Sequence, residues 1–345
     1  MLLQDYLPQS CLEVEENIKT KPYRPVFDCH THWGEMLFGP GYENQYDTES
    51  AIESMKSFGI MGCVNLCGFW GDRLKVMFDK IGDNRDFVHT FGSLDSGLLD
   101  EPNWETFAYQ TIKESVSMGM KGMKFWKNIS LTLKDKKGNY IRIDDPRLQV
   151  IWQTCAEFSL PVLIHIADPV AFFKPIDRYN ERWEELQLNP DWSFCGPGLF
   201  TFHELMEQQD NLMAMNRNTQ FIVAHFGSYS ENLAWVGAQL EKHPNMNIDV
   251  AARIAELGRQ PVTARKFFHK YSDRILYGSD FTPLHHDEYT IAYRFFETAD
   301  EYFPYSYEPN GGSSGRWRIY GIDLEPDVLD KFYYKNVAKI LGLEN

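Results

Sequence analysis

The stretch Val26-Phe27-Asp28-Cys29-His30-Thr31-His32 comes after a basic, proline-bounded segment, Lys21 to Pro25, and closes an apolar run with two histidines one residue apart. Alternate residues of a strand share a face, so an extended reading points both imidazoles the same way, where they can grip one metal ion. Two histidines at this spacing also occur in turns and on exposed strands. The pair therefore takes its meaning from the rest of the chain.

Downstream of the pair, short apolar runs alternate with longer amphipathic stretches, the pattern of parallel strands joined by helical crossovers. Strands are predicted at 26–32, 63–66, 87–93, 122–125, 161–166, 221–225, 247–250 and 275–278, and helices at 48–58, 73–81, 104–118, 146–158 and 202–215. A further helix-rich piece spans 252–271. Asp47 or Thr48 is the expected cap of the first helix. Eight strands in a chain of 345 residues fit a closed α/β TIM (β/α)8 barrel of about 250 residues with insertions. A single domain over 1–345 is expected, with an N-terminal extension at 1–24 and a C-terminal helix at 326–343. Two segments are long enough to be rim insertions. One is 168–198 after the fifth strand, rich in Pro, Trp, Arg and Phe. The other begins after Asp280 and runs through Asn310-Gly311-Gly312-Ser313-Ser314-Gly315, a loop tip.

Composition narrows the function classes. A formal charge of -15, with no run of Lys and Arg, argues against nucleic acid as a partner, because such proteins carry basic patches that release counterions. An anionic small substrate stays open, since a few cations in a cleft set the local field against the overall sign. No apolar run approaches the roughly 20 residues needed to cross a bilayer, so no membrane association is expected. Residues 1–20 lack the basic start and apolar stretch of a secretory signal. The six cysteines are spread thinly and do not read as a disulfide framework, which fits a cytoplasmic protein. Cys63 and Cys67 lie in an apolar run with no second pair, and read as buried strand residues rather than half a zinc site.

Several predicted strands end in residues that could do chemistry: His30 and His32 on the first, His165 on the fifth, His225 on the sixth, and Asp280 just beyond the eighth. In a barrel of parallel strands all these ends meet on one face. Singly, each has a plainer reading as a hydrogen-bonded core histidine or a helix-capping aspartate.

Taken together, Phe27 to His32, Pro161-Val162-Leu163-Ile164-His165, Phe221-Ile222-Val223-Ala224-His225-Phe226-Gly227 and Ile275-Leu276-Tyr277-Gly278-Ser279-Asp280 resemble the amidohydrolase superfamily. They are closest to its amidohydrolase-related branch of hydrolases and of aromatic and semialdehyde decarboxylases. The tail Tyr334 to Leu343 is similar to that family's closing helix. The resemblance implies that His30, His32, His165 and Asp280 hold one divalent ion, zinc being expected, with His225 beside the reacting group. Imidazoles and a carboxylate suit zinc with an open position for water. Asp280 would move the water's proton, and His225 would donate a hydrogen bond to a substrate oxygen. Lys124, on the fourth strand, stands where some superfamily members bridge two metals through a carboxylated lysine. One metal is the favoured reading, with Lys124 binding a substrate anion or pairing with an acid.

For substrate binding the candidates are Lys124, Arg73, Arg178 and Arg253, which could hold a carboxylate, and Trp33 and Trp126, which could wall a pocket. Arg182 and Trp70 are further candidates. His203, His285 and His286 read as rim or surface residues, and His89 begins a strand at the stable end of the barrel. The expected function is hydrolysis of a small-molecule amide, lactone or ester by metal-activated water. The alternative is non-oxidative decarboxylation of an unsaturated or aromatic acid, and a non-catalytic binding barrel comes third. The partner is a small molecule, a carboxylate among the options. Because relatives often pair, a homodimer is one of the expected forms.

Overall fold

In the computed structural model, which describes residues 5–6, 8–36, 39–284, 288–307 and 314–343, the first apolar run forms β1 (Val26–Thr31), buried along its whole length. Seven more strands complete the sheet: β2 (Ile60–Asn65), β3 (Val88–Gly92), β4 (Gly122–Phe125), β5 (Val162–Ile164), β6 (Phe221–Val223), β7 (Met246–Asp249) and β8 (Ile275–Leu276). Each pairs in parallel with the next. β8 returns to β1: Cys29 N donates to Tyr277 O (2.9 Å), Asp280 N to His30 O (2.8 Å) and His32 N to Phe281 O (2.9 Å). The sheet is a TIM barrel, and its closing hydrogen bonds run through the histidine pair itself.

Helices cover the outside. Thr48–Ser57 is capped by Asp47, whose carboxylate accepts from Ser50 N, and Phe202–Met215 starts with a reciprocal capping box between Thr201 and Glu204. Helices also lie where the sequence pattern predicts none, two of them longer than the rest. Leu233–Lys242, capped by Asn232, crosses from β6 to β7. Tyr289–Glu297 lies in the segment read as a rim loop. The latter is buried at seven of its nine positions, and its polar residues Thr290, Arg294 and Glu297 recur at helical spacing, a signal that the rim-loop reading overlooks. The C-terminal segment is helical from Pro326 to Leu341, with a π stretch at Lys331–Lys335.

The barrel interior has two layers. Phe27, Cys29, Val64, Leu66, Phe91, Leu163, Ile222 and Leu276 fill the lower one, plugged by Val337 of the C-terminal segment. His89 belongs to this end, its ring 5.4 Å from that of Phe27. Strict alternation would then send His30 and His32 outward, because Phe27 and Cys29 already point in. A register shift between Asp28 and Thr31 prevents this: three steps along β1 match two along β2, from Asp28↔Cys63 to Thr31↔Asn65. The bulge resets the parity and turns both histidines into the barrel.

Candidate active site

Each strand delivers its chemical group by a different local device. On β4, β5 and β7 plain alternation suffices, placing Lys124, His165 and Asp249 on the inward face. After β6 and β8 the backbone departs from the usual regions: φ is +57° at His225 and +73° at Asp280. Left-handed conformations cost non-glycine residues about 1–3 kcal/mol each. Here hydrogen bonds hold them, from His225 N to Asp249 Oδ1 (2.8 Å) and from Asp280 N to His30 O (2.8 Å). Gly278 permits the packing, since a Cβ there would lie 2.9 Å from that of His30.

Donor atoms of His30, His225 and Asp280 all lie within 4.8 Å of one another. His32 Nε2 is 2.8 Å from Asp280 Oδ1, and the rings of His165 and His225 are 4.3 Å apart. The structure thus brings His30, His225 and Asp280 together, with His32 beside Asp280 and His165 beside His225. Burial pushes the imidazoles of His32 and His165 down to about 4 and holds that of His225 well below its usual range. Burial alone would raise the carboxyl of Asp280, but the facing imidazoles outweigh it and keep it well below the ordinary carboxylate range.

Hydrogen-bond directions then decide where the lone pairs point. Asp249 Oδ2 meets His30 Nδ1 at 2.8 Å, which turns Nε2 toward Asp280 Oδ1 at 3.3 Å. The same Asp280 oxygen meets His32 Nε2 at 2.8 Å. His225 Nδ1 meets the carbonyl of Ala251 (2.9 Å), which can only accept, so in the neutral ring its Nε2 carries the lone pair. Asp168 holds His165 through Nε2 (3.2 Å), leaving Nδ1. The imidazoles of His30, His165 and His225, each oriented by an acceptor, with His32 beside an ionised carboxylate, are a donor set that fits a divalent ion. The same geometry corrects one expectation: a neutral His225 cannot donate to a substrate oxygen, because its one proton goes to Ala251.

Three aspartates complete the centre, and sequence reasoning misses their role. Asp28 accepts from His30 N (3.0 Å), Ser279 N (3.0 Å), Ser279 Oγ (2.5 Å) and Tyr289 Oη (2.7 Å), tying β1 to the turn that carries Asp280. Burial raises its carboxyl to about 6. Asp249 orients both His30 and His225, and Asp168 bridges His165 to Lys127 Nζ (2.6 Å). The signals in the chain are faint: an acid two residues before His30, an acid amid apolar residues on β7, and an acid three residues beyond His165.

A cavity of about 400 Å³ opens on this cluster. Lys124, Trp126 and Arg253 line it, as do Arg182 and Trp192 of the segment after β5. Trp33, Arg73 and Arg178 stand apart from it. Trp33 is fully buried, its indole donating to Thr31 Oγ1, so it is core. Arg73 lies over Phe69 and pairs with Glu35, while Arg178 lies over Tyr179. Helical and loop geometry carries both arginines outward from their strand ends. His203 is exposed, and His285 and His286 lie outside the described residues, as do positions 310–313 of the glycine-serine loop. Cys63 and Cys67 are buried. No described helix is long and apolar enough to cross a membrane.

A family model described as amidohydrolase matches residues 27–343. No protein of curated function matches the chain in sequence. Among solved structures, 2,6-dihydroxybenzoate decarboxylase from Rhizobium superposes with a TM-score of 0.57 at 14% identity, over 93% of this chain and 100% of that one. An amidohydrolase from Burkholderia multivorans with bound zinc gives 0.52 at 10% identity, over 93% and 100%. A probable 2-pyrone-4,6-dicarboxylic acid hydrolase from Acinetobacter baumannii, with citric acid bound, gives 0.50 at 13% identity, over 92% and 99%.

Proposed function

The chain belongs to the amidohydrolase family, and from that premise we propose that it is a metal-dependent hydrolase cleaving an amide, lactone or ester of a small molecule. The observation that carries this reading is the convergence of His30, His225 and Asp280, whose donor atoms all lie within 4.8 Å of one another. His30, His32, His165 and Asp280 would hold one divalent ion, zinc by the chemistry of its nitrogen and oxygen donors. Such an ion, when bound, polarises a substrate oxygen and makes hydroxide available at neutral pH.

The chain's own groups do the rest. Asp280, ionised and part-exposed to the cavity, takes the proton of the attacking water and passes it to the leaving group. His225 acts as an acceptor through Nε2 and orients the water by one of its hydrogens. Asp249 holds the His30 imidazole and the backbone N of His225 in register, and the strained turns keep them there without reorganisation during the reaction.

A second reading, loss of carbon dioxide from an aromatic or unsaturated acid, draws on the aromatic lining of Trp126, Phe172 and Trp192. Against it stands the ammonium of Lys124: an ion pair stabilises a reactant carboxylate and gains nothing from neutral carbon dioxide. The test is a panel of small lactones, esters, amides and aromatic acids incubated with zinc-loaded protein in ¹⁸O-water. Label in the product is expected, and unlabelled product with released carbon dioxide would establish the second reading instead. Asp280→Asn should lower turnover by about 10²- to 10⁴-fold, the usual worth of general acid–base catalysis. Unchanged turnover would remove Asp280 from the mechanism.

A further inference from the structure

We propose that the substrate is a small planar carboxylate whose carboxylate group docks on the buried ammonium of Lys124 while its ring lies against Trp126. This rests on the reading of the histidine-lined cavity as the active site. Lys124 is fully buried on the inward face of β4, lines the cavity, and its Nζ has no hydrogen-bond partner. Its Nζ lies 4.9 Å from the ring centroid of Trp126. Two other cations of this cavity have carboxylate partners: Lys127 pairs with Asp168 at 2.6 Å, and Arg182 with Glu185 at 2.6 Å and also with Glu256. Arg253 donates to the carbonyl of Ala252 at 2.8 Å.

Asp280 and Asp249 act on this ammonium through space, but an interior ammonium with no hydrogen-bonded counter-charge is costly, and folded proteins seldom keep one that serves no purpose. The nearby carboxylates are engaged elsewhere: Asp280 with His30 and His32, Asp249 with His30, His225 N and Ala251 N. The missing negative charge therefore comes from the ligand. Its shape is dictated by the neighbouring wall. Trp126 packs beside the cluster, its ring 5.1 Å from that of His32 and tilted 34° to it, and Gly68 leaves room at the indole edge, where a Cβ would meet Nε1 at 2.3 Å. A planar ring stacked there brings a carboxylate substituent to Lys124 and a neighbouring bond to the histidine cluster.

Calorimetric titration of the zinc-loaded full chain with benzoate and with benzamide tests this, since the two differ in charge and hardly in shape. The wild type should prefer benzoate by about tenfold or more, the worth of a charge-assisted hydrogen bond. Lys124→Met should erase the preference and leave benzamide binding and zinc content unchanged, whereas Lys124→Arg should keep it; thermal melts establish that both variants fold. A wild type without the preference, or a Lys124→Met protein that retains it, overturns the proposal. The wild-type comparison stands without any variant. Elemental analysis separates this from the underlying reading: a chain that takes up no zinc sinks the metal-dependent hydrolase, while the benzoate-to-benzamide ratio still judges Lys124.

Discussion

The lower and upper halves of this barrel are built from the same eight strands and obey different rules. Below, Phe27, Cys29, Phe91, Leu163, Ile222 and Leu276 interdigitate and are closed off by Val337. Above, the same strands carry His30, Lys124, His165 and Asp249, a bulge interrupts β1, and His225 and Asp280 sit at positive φ. The lower layer gains from burial and needs only regular geometry. The upper layer places ionisable groups out of water and holds them by hydrogen bonds in strained turns, at a cost the lower layer must offset. Stability and chemistry are thus separated along the strand axis, by a distance of a few residues.

That separation can be broken in either half. The largest effect is expected for His30→Ala combined with His32→Ala, which should abolish metal binding while the barrel stays folded; elemental analysis after dialysis against zinc decides, and a retained stoichiometric ion would exclude the pair as ligands. Next comes Leu163→Ala in the lower layer, which should destabilise the chain by about 2–5 kcal/mol through transfer and cavity terms. Urea unfolding should show this loss with zinc stoichiometry intact, and a loss of zinc in the folded variant would mean that the halves are coupled.

A smaller change is expected where the two layers of hydrogen bonding meet. Asp249→Asn keeps the shape but presents an amide to His30 Nδ1 or to the backbone of β6, and should weaken zinc binding by about 10- to 100-fold. Competition with a chelator measures it, and unaltered affinity would deny Asp249 an orienting role. The mildest effect is a titration. Burial lowers the ammonium of Lys124 to about 8, so the charged form is present below that pH and is lost as pH rises through it. Benzoate affinity should be level below about pH 8 and fall by about tenfold per unit above it. An affinity that stays level to about pH 9.5 in the wild type would place the carboxylate elsewhere.

Much of the upper half was legible in the chain. His30, His32, His165, His225 and Asp280 each stand at the end of an apolar run, and eight such runs in alternation with amphipathic segments leave few architectures other than a barrel. The orienting aspartates were harder to see, because Asp28, Asp249 and Asp168 act through contacts to residues up to 261 positions away. For the substrate-binding candidates, position after a strand was a poor guide. Trp33 and Trp126 both come after strands, yet one turns into the core and the other faces the cavity. Local sequence does not specify which way a rim residue turns, since that is set by what the neighbouring loops leave open. The helix Tyr289–Glu297 is different: Thr290, Arg294 and Glu297 form a polar stripe at helical spacing, so its periodicity was present in the chain, in a segment of only nine residues.

By itself the sequence determined the strand count, the alternation, the cap at Asp47 and the residue types that meet at the top of the barrel, because periodicity and capping are local properties of the chain. Only the tertiary structure decided which acceptors orient His30, His165 and His225, that the Lys124 ammonium has no hydrogen-bond partner, and that a bulge rather than simple alternation turns His30 and His32 inward. Those outcomes depend on partners brought together by closure of β8 onto β1, and no stretch of the chain carries that information alone.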